Sequence, residues 1–120
     1  MEIKENVIVE KSIDFSLSII KYCEILEREK KFVIANQLLK AGTSIGANIF
    51  EAQHAESKQD FIHKMKIAMK ETNETMYWLT LCEKSEQYPE IGTLKEDASS
   101  IFKIISKIIA TSKNNSTHQK

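Results

Sequence analysis

Apolar residues recur along most of the chain at alternating spacings of four and three, which is the period of one face of an α-helix. The pattern predicts four helices, over about Glu5–Glu29, Lys31–Ala55, Ser57–Gln87 and from Ile91 to residue 112. The positions assigned to the core of the last three helices are Ile34, Leu38, Ala41, Ile45, Asn48, Ala52, Ala55, Phe61, Met65, Ala68, Thr72, Thr75, Leu79, Cys82, Ile91, Leu94, Ala98, Ile101, Ile105 and Ile108.

The first helix carries two apolar stripes that lie on nearly opposite sides at about 100° per residue. One stripe consists of Val9, Ile13, Leu17 and Ile20, and the other of Ile8, Phe15, Ile19, Tyr22 and Leu26. Because one stripe is enough to face a core, we expect the other to contact a second copy. The residues assigned to this oligomer interface are Phe15, Ile19, Tyr22, Leu26, Ile67, Trp78 and Leu81. The alternative is a broad core that absorbs both stripes.

The segment AGTSIGANIFEAQ, residues 41–53, has the small residues of a phosphate-binding loop, but the helical period passes through it. Neither GxGxxG nor GxxxxGK[ST] occurs, and no strand precedes the segment. Gly42 and Gly46 are four residues apart and therefore share a helix face. We interpret them as positions where a neighbouring backbone approaches closely, as small-xxx-small pairs allow.

Glycine and proline are scarce, with three and one in 120 residues, which favours long elements with few turns. The clearest break is YPEIGT, residues 88–93. The predicted fold is an all-α, up-down-up-down antiparallel four-helix bundle over residues 1–112, which assembles into a homo-oligomer. The polar residues 113–120 are predicted to form a disordered tail.

Charge, apolar runs and cysteine spacing indicate where the protein is located, but they say little about its activity. Seventeen basic and seventeen acidic residues cancel, so no overall charge attracts nucleic acid or membranes. The N-terminus has no basic and apolar signal pattern, and no apolar run reaches the roughly 18–20 residues of a membrane span. Cys23 and Cys82 lack metal-site spacing and are interpreted as core residues in a reducing compartment. These features predict a cytoplasmic protein without membrane contact.

A di-metal centre is the strongest catalytic alternative. Glu51 and His54 form a Glu-x-x-His motif of the kind found in di-iron bundles, and Asp60 with His63 resembles it. The other two helices do not complete the ligand set, and neither cysteine has a predicted histidine neighbour. We therefore assign no catalytic residue, metal or cofactor and expect a protein that is not an enzyme.

Basic residues gather at one end of the predicted bundle, where the third helix begins and the fourth ends. This set is expected to contact nucleic acid phosphates or, equally, to be a solvated face, and it consists of His63, Lys66, Lys70, Lys103, Lys107 and Lys113. No aromatic platform is assigned among these lysines. The single arginine, Arg28, offers little bidentate readout of bases.

The two middle helices contain QLLKAGTSIGANIFEA and DFIHKMKIAMKETNETMYWL, which resemble the four-helix-bundle proteins encoded in 23S rRNA intervening sequences. The matching positions are Ser44, Ile45, Asn48, Glu51, Ala52, Phe61, Ala68, Glu74, Thr75, Trp78 and Leu79. That family is similar to the accessory variability proteins of diversity-generating retroelements. The resemblance implies a homopentamer without known catalysis, with RNA or DNA and a reverse transcriptase or other protein as partners.

Polar residues on the two middle helices are expected to fix the register between them through a buried network, or else to line a pore or partner surface. The residues assigned to helix packing and register are Gly42, Ser44, Gly46, Asn48, Glu51, Glu74 and Thr75. The function that these features favour is a non-catalytic scaffold or adaptor with nucleic-acid binding through its lysine-rich end. A module that binds only proteins is the alternative.

Overall fold

Four α-helices account for most of the chain: α1 (Ile3–Arg28), α2 (Phe32–Ala52), α3 (Lys58–Lys84) and α4 (Leu94–His118). A computed structural model describes the backbone of residues 3–118 and the side chains of residues 7–114. No strand occurs between residues 3 and 118, and the predicted all-α class with four helices is confirmed. None of the described helices combines the length and apolar character that crossing a membrane requires.

Local chemistry explains where the helices begin and end. The Ser57 Oγ accepts a hydrogen bond from the Asp60 backbone N–H at 3.0 Å, which caps the start of α3. Lys30, with a φ of 64°, turns the chain between α1 and α2. Gln87 and Gly92 adopt φ values of 65° and 58° in the connection before α4, where glycine adopts this conformation without strain.

The fourth helix is longer than its apolar pattern predicts. α4 continues to His118, so residues 113–118 are helical where the sequence predicts a disordered tail, and residues 119–120 lie outside the described chain. A polar segment can extend a helix that a packed segment has already nucleated, because each further residue adds a hydrogen bond without a new nucleus. Apolar periodicity therefore marks the packed part of α4 and misses its extension.

The core lies between the four helices, each of which packs against two others. The packed pairs are α1–α2, α2–α3, α3–α4 and α1–α4, whereas no Cα atoms of α1 and α3, or of α2 and α4, lie within 8 Å of each other among the described residues. The fully buried large side chains are Ile8, Ile19, Leu26, Leu38, Ile45, Ile49, Met65, Leu79, Ile105, Thr72, Thr75 and Cys82. The core is thus built from stripes of all four helices.

The two glycines of α2 bring that helix close to α1. A Cβ atom at Gly42 would lie 2.8 Å from the Ile19 Cγ2, and one at Gly46 would lie 3.3 Å from the Ser16 Oγ. Both glycines are buried. Gly42 and Gly46 therefore leave the room in which α1 packs, and residues 41–52 of the segment rich in small residues are helical rather than a loop.

The cysteines are buried thiols on the diagonal pair of helices. Burial raises the pKa of the Cys23 thiol to about 12 and also raises the pKa of the Cys82 thiol. Since α1 and α3 share no Cα pair within 8 Å, the two residues lie beyond the roughly 4.4–6.8 Å that a disulfide requires. Cys23 and Cys82 therefore act as small core side chains that stay protonated.

A buried tyrosine fastens the α3–α4 connection to α1. The Tyr22 hydroxyl donates a hydrogen bond to the Pro89 carbonyl at 2.7 Å, and the Lys31 ammonium lies 4.9 Å from the centre of the Tyr88 ring. We expect Tyr22→Phe to lower the free energy of unfolding by about 1 kcal/mol, because the Pro89 carbonyl loses its donor. Urea unfolding would measure this change. Tyr88→Phe, which keeps the ring that faces Lys31, is the matched control, and equal stability of both variants would contradict the prediction.

Candidate functional site

Six basic residues form an exposed surface on α3 and α4. This surface, called the lysine face below, consists of His63, Lys66, Lys70, Lys103, Lys107 and Lys113. Every one of these side chains is exposed, so the positions assigned from the sequence are open to solvent. The first three follow one side of α3 at spacings of three and four, and the others belong to the second half of α4.

Two lysines of this face lie close enough to affect each other's charge. A side-chain contact with Lys66, together with the positive charge of Lys66, lowers the pKa of the Lys113 ammonium. The early part of α3 and the late part of α4 therefore lie close to each other and bring positive charge together. Such a concentration attracts anions, above all those that carry several charges.

Two ion pairs of the described side chains lie outside the lysine face. Lys64 Nζ is 3.0 Å from Glu51 Oε1 and links α3 to α2, whereas Lys95 Nζ is 2.8 Å from Glu83 Oε1 and links α4 to α3. Both pairs are substantially exposed, so solvent screens them and each adds little to stability. These pairs hold neighbouring helices together without drawing on the lysines of the face.

The polar residues expected to fix the register of α2 and α3 bond mainly within their own helices. Asn48 Nδ2 donates to the Ser44 carbonyl at 2.9 Å, and Thr75 Oγ1 donates to the Glu71 carbonyl at 2.8 Å. Asn48 is half-buried and Thr75 is buried. This pattern corrects the expected buried network between helices, because a carbonyl one turn earlier already satisfies each side chain.

The remaining members of that set are on the surface or half-buried. Ser44 Oγ donates to the Lys40 carbonyl at 2.6 Å, and Glu74 Oε2 accepts from the Trp78 indole N–H at 3.2 Å. Only Glu51 bonds across helices, and it does so through the exposed pair with Lys64. The register of α2 therefore depends on the close approach of its glycines to α1 and on core packing.

The residues considered as ligands of a di-metal centre, Glu51, His54, Asp60 and His63, do not form a ligand set. Asp60 Oδ2 accepts a hydrogen bond from the Glu56 backbone N–H at 3.3 Å, so it stabilises the start of α3. Glu51 pairs with Lys64. His54 and His63 are exposed, and within the described side chains no group of three or more His, Cys, Asp or Glu residues is arranged to hold a metal ion.

The oligomer interface expected on α1 is wrong, because its residues belong to the core of the single chain. Phe15, Ile19, Tyr22 and Leu26 are at most 5% exposed. Periodicity defines two stripes on α1 but not which one faces inward, and the packing of Gly42 on Ile19 shows which. Of the α3 residues, Ile67, Trp78 and Leu81 are half-buried, at the edge of the core or just outside it.

The stripe that remains on the surface of α1 is the one expected to face inward. Leu17 is 58% exposed, and Ile13 and Ile20 are 42% and 37% exposed. Phe50, at 51%, lies one turn after Gly46, which packs against α1 at Ser12 and Ser16. Ile13, Leu17, Ile20 and Phe50 are called the apolar face below. They flank the α1–α2 contact on the side that faces away from the core.

The comparisons with known proteins give the family. The family model described as 23S rRNA-intervening sequence protein matches residues 4–107, which include parts of all four helices. The chain belongs to the 23S rRNA-intervening sequence protein family. The resemblance read from α2 and α3 is thereby confirmed.

A solved structure carries the same fold as this 23S rRNA-intervening sequence family member. It is the crystal structure of a protein of unknown function from the S23 ribosomal protein family of Bacteroides thetaiotaomicron VPI-5482. The two chains are 42% identical and superpose with a TM-score of 0.85, over 90% of this chain and 99% of the other. The comparison with curated proteins finds no match.

Proposed function

We propose that this member of the 23S rRNA-intervening sequence family is a non-catalytic scaffold that assembles with itself and binds RNA or DNA through the lysine face. The observation that carries the nucleic-acid part is that all six basic side chains of the lysine face are exposed, with His63, Lys66 and Lys70 following one side of α3. Exposed ammonium groups gathered on one surface attract phosphates, and their binding releases the counterions that surround a nucleic acid.

The proposal includes an up-down-up-down antiparallel order of the helices. Ser106 contacts Met69, and Lys95, eleven positions earlier in α4, pairs with Glu83, fourteen positions later in α3. Later residues of α4 thus meet earlier residues of α3. The glycine contacts of α2 on α1 follow the same reversed order. Short connections between consecutive helices are also typical of this topology.

Self-assembly is supported by the apolar face. Exposed apolar side chains scattered singly are ordinary, but Ile13, Leu17 and Ile20 follow one side of α1, and Phe50 lies one turn after the glycine of α2 that packs against α1. Burial of these side chains between copies would remove them from water. The homopentamer implied by the family resemblance is the assembly that we propose.

The non-catalytic part is supported by the chemistry of the buried groups. Burial keeps the Cys23 and Cys82 thiols protonated, which removes the nucleophilic form, and two free thiols suit a reducing cytoplasm. A module that binds only proteins, a reverse transcriptase among them, is the second candidate. The observation that favours it is the same apolar face, which a different protein could cover instead of a second copy.

The nucleic-acid part is tested by fluorescence anisotropy of a labelled, structured RNA at several salt concentrations. We expect an affinity that falls as salt rises, with a logarithmic slope that loses about 0.7–0.9 for each lysine–phosphate contact removed. The triple variant Lys66→Glu, Lys70→Glu, Lys103→Glu should bind at least about ten-fold more weakly because it loses and reverses these charges.

The matched control reverses the same number of charges elsewhere. Lys11, Lys21 and Lys40 are exposed residues of α1 and α2, outside the lysine face. Their triple replacement by glutamate changes the net charge equally and should leave most of the binding intact. Equal losses in both triple variants would show that net charge alone matters, and no binding of the unaltered protein at low salt would remove nucleic acid as a partner.

A further inference from the structure

An exposed aromatic ring lies in line with the lysines of α3. Lys66, Lys70, Asn73 and Tyr77 follow one another at spacings of four, three and four, so their side chains leave the same side of the helix. All four are exposed, and 57% of the Tyr77 surface is accessible. Tyr77 is thus an exposed aromatic residue on the side of α3 that carries Lys66 and Lys70.

The ring of Tyr77 is supported from one side. Its centre lies 5.0 Å from that of Trp78, with an angle of 68° between the ring planes, which is an edge-to-face contact. Trp78 is itself half-buried, and its indole N–H donates to Glu74 Oε2 at 3.2 Å. A ring held by a fixed neighbour loses little freedom when a flat ligand stacks on it.

The fourth helix adds positive charge beside this ring. Ser106 of α4 contacts Met69, and Lys95 pairs with Glu83. Lys103 is exposed and lies between Ser106 and Lys95 in α4, at the level of the α3 segment between residues 69 and 83, which includes Lys70 and Tyr77. An exposed ring thus has ammonium groups along its own helix and on the neighbouring one.

We propose that Tyr77 stacks on an unpaired base while the lysine face holds the phosphates that flank it, so that the ligand is single-stranded nucleic acid or an unpaired loop. Positive charge alone serves duplex and single strand alike, whereas a stacking ring needs a base whose face is free. In a duplex both faces of an internal base are already covered by its neighbours. This inference rests on the proposed function and adds to it the strandedness of the ligand.

The test compares a single-stranded, mixed-sequence RNA of about 12 nucleotides with the same strand annealed to its complement. Tyr77→Ala is expected to weaken single-strand binding about five-fold or more, because stacking on one aromatic ring is lost. Duplex binding and the salt slope for both ligands should stay unchanged. Tyr77→Phe keeps the ring and should bind like the unaltered protein.

Trp78 provides a second readout, because it is the only tryptophan of the chain and contacts Tyr77. Its fluorescence should change when the single strand binds and much less when the duplex binds. Phe32→Ala removes an equally exposed aromatic side chain, 59% accessible, at the start of α2 and should change neither affinity. Circular dichroism of each variant checks that the helices are intact.

The outcomes separate the inference from the proposed function. Weaker single-strand binding by Tyr77→Ala, with normal binding by Tyr77→Phe, supports stacking. If Tyr77→Ala binds both ligands normally while the lysine variants do not, the stacking inference fails. The proposal that the lysine face binds nucleic acid is then retained. If the unaltered protein binds neither ligand at low salt, the proposed function and the inference both fail.

Discussion

Replacing Gly42 with valine is expected to lower the free energy of unfolding by about 3 kcal/mol, since extra carbons in a packed core force side chains and backbone apart. The first added atom already meets the Ile19 Cγ2 at 2.8 Å and the Ile19 Cγ1 at 3.0 Å. Ile19 is fully buried and branched at Cβ, so it cannot turn away. Chemical unfolding followed by circular dichroism measures the loss.

Gly46→Ala is the matched control for that prediction. Its new Cβ would lie 3.3 Å from the Ser16 Oγ and 3.4 Å from the Ser12 Oγ, so a shift of a few tenths of an ångström accommodates it. Alanine gains about 1 kcal/mol of helix propensity over glycine, which offsets the tighter contact, and we expect little net change. A valine at position 42 that is as stable as alanine at position 46 would contradict the close approach of α1 and α2.

A double-mutant cycle identifies the contact itself. Ile19→Ala removes the atoms that the new side chain would meet, and by itself it should destabilise the core by about 2–5 kcal/mol. Combined with Gly42→Val, it should be less damaging than the sum of the two changes, because valine fills part of the space that isoleucine leaves. Strict additivity would indicate that the two positions do not touch.

Leu17→Asp is expected to abolish self-assembly while leaving the single chain folded. Leu17 is 58% exposed at the centre of the apolar face, and a carboxylate there would be buried without a partner in any assembly that covers the face. The stability of the single chain should change by no more than about 0.5 kcal/mol, as is usual for exposed positions. Sedimentation velocity at micromolar concentration measures the mass of both proteins.

The control for this substitution is Val33→Asp. Val33 is 77% exposed at the start of α2, away from the apolar face, so its replacement introduces the same charge without touching the proposed interface. The assembly should persist in this variant. An unaltered protein that sediments as a single chain would remove self-assembly from the proposal, and a Leu17→Asp variant that still assembles would move the interface to another face.

Much of the fold is readable from the sequence because the heptad stripes of α3 and α4 mark their buried faces. On α3 the heptad positions from Met65 to Cys82 are buried, and on α4 those from Leu94 to Ile108 are buried as well. A helix can bury such a stripe in only one orientation about its axis. The third helix is predicted to begin at Ser57, and the Ser57 hydroxyl accepts a hydrogen bond from the Asp60 backbone N–H at the start of α3.

The sequence does not show which face of α1 is buried, and the reason is physical. Its two stripes are similar in length and apolar content, so periodicity cannot decide between them. The deciding feature lies on another helix, where Gly42 leaves room for Ile19 and not for the residues opposite. The sequence does not single out Tyr77 for a related reason. A single aromatic residue among charged ones suggests a stacking site only when its neighbours on the helix surface are known.

The polar residues of α2 and α3 show a different limit of sequence reasoning. Asn48 falls on an apolar period and therefore suggests a partner on the facing helix. In the folded chain the carbonyl of Ser44 is nearer, and the side chain bonds there. The local partner is available in every helix, whereas a partner across the core depends on how two helices are aligned.

The contacts of the α3–α4 connection make the two ends of the bundle unequal in stiffness. At one end, Tyr22 holds Pro89 and Lys31 covers Tyr88, so both connections are tied to each other and to α1. At the other end, α4 continues beyond buried Ile109 with mostly exposed side chains up to residue 114. Thermal fraying should begin from this end and spread along α4, while the tied end keeps its hydrogen-exchange protection longest. The bundle therefore has one end that its connections hold together and one end that opens first.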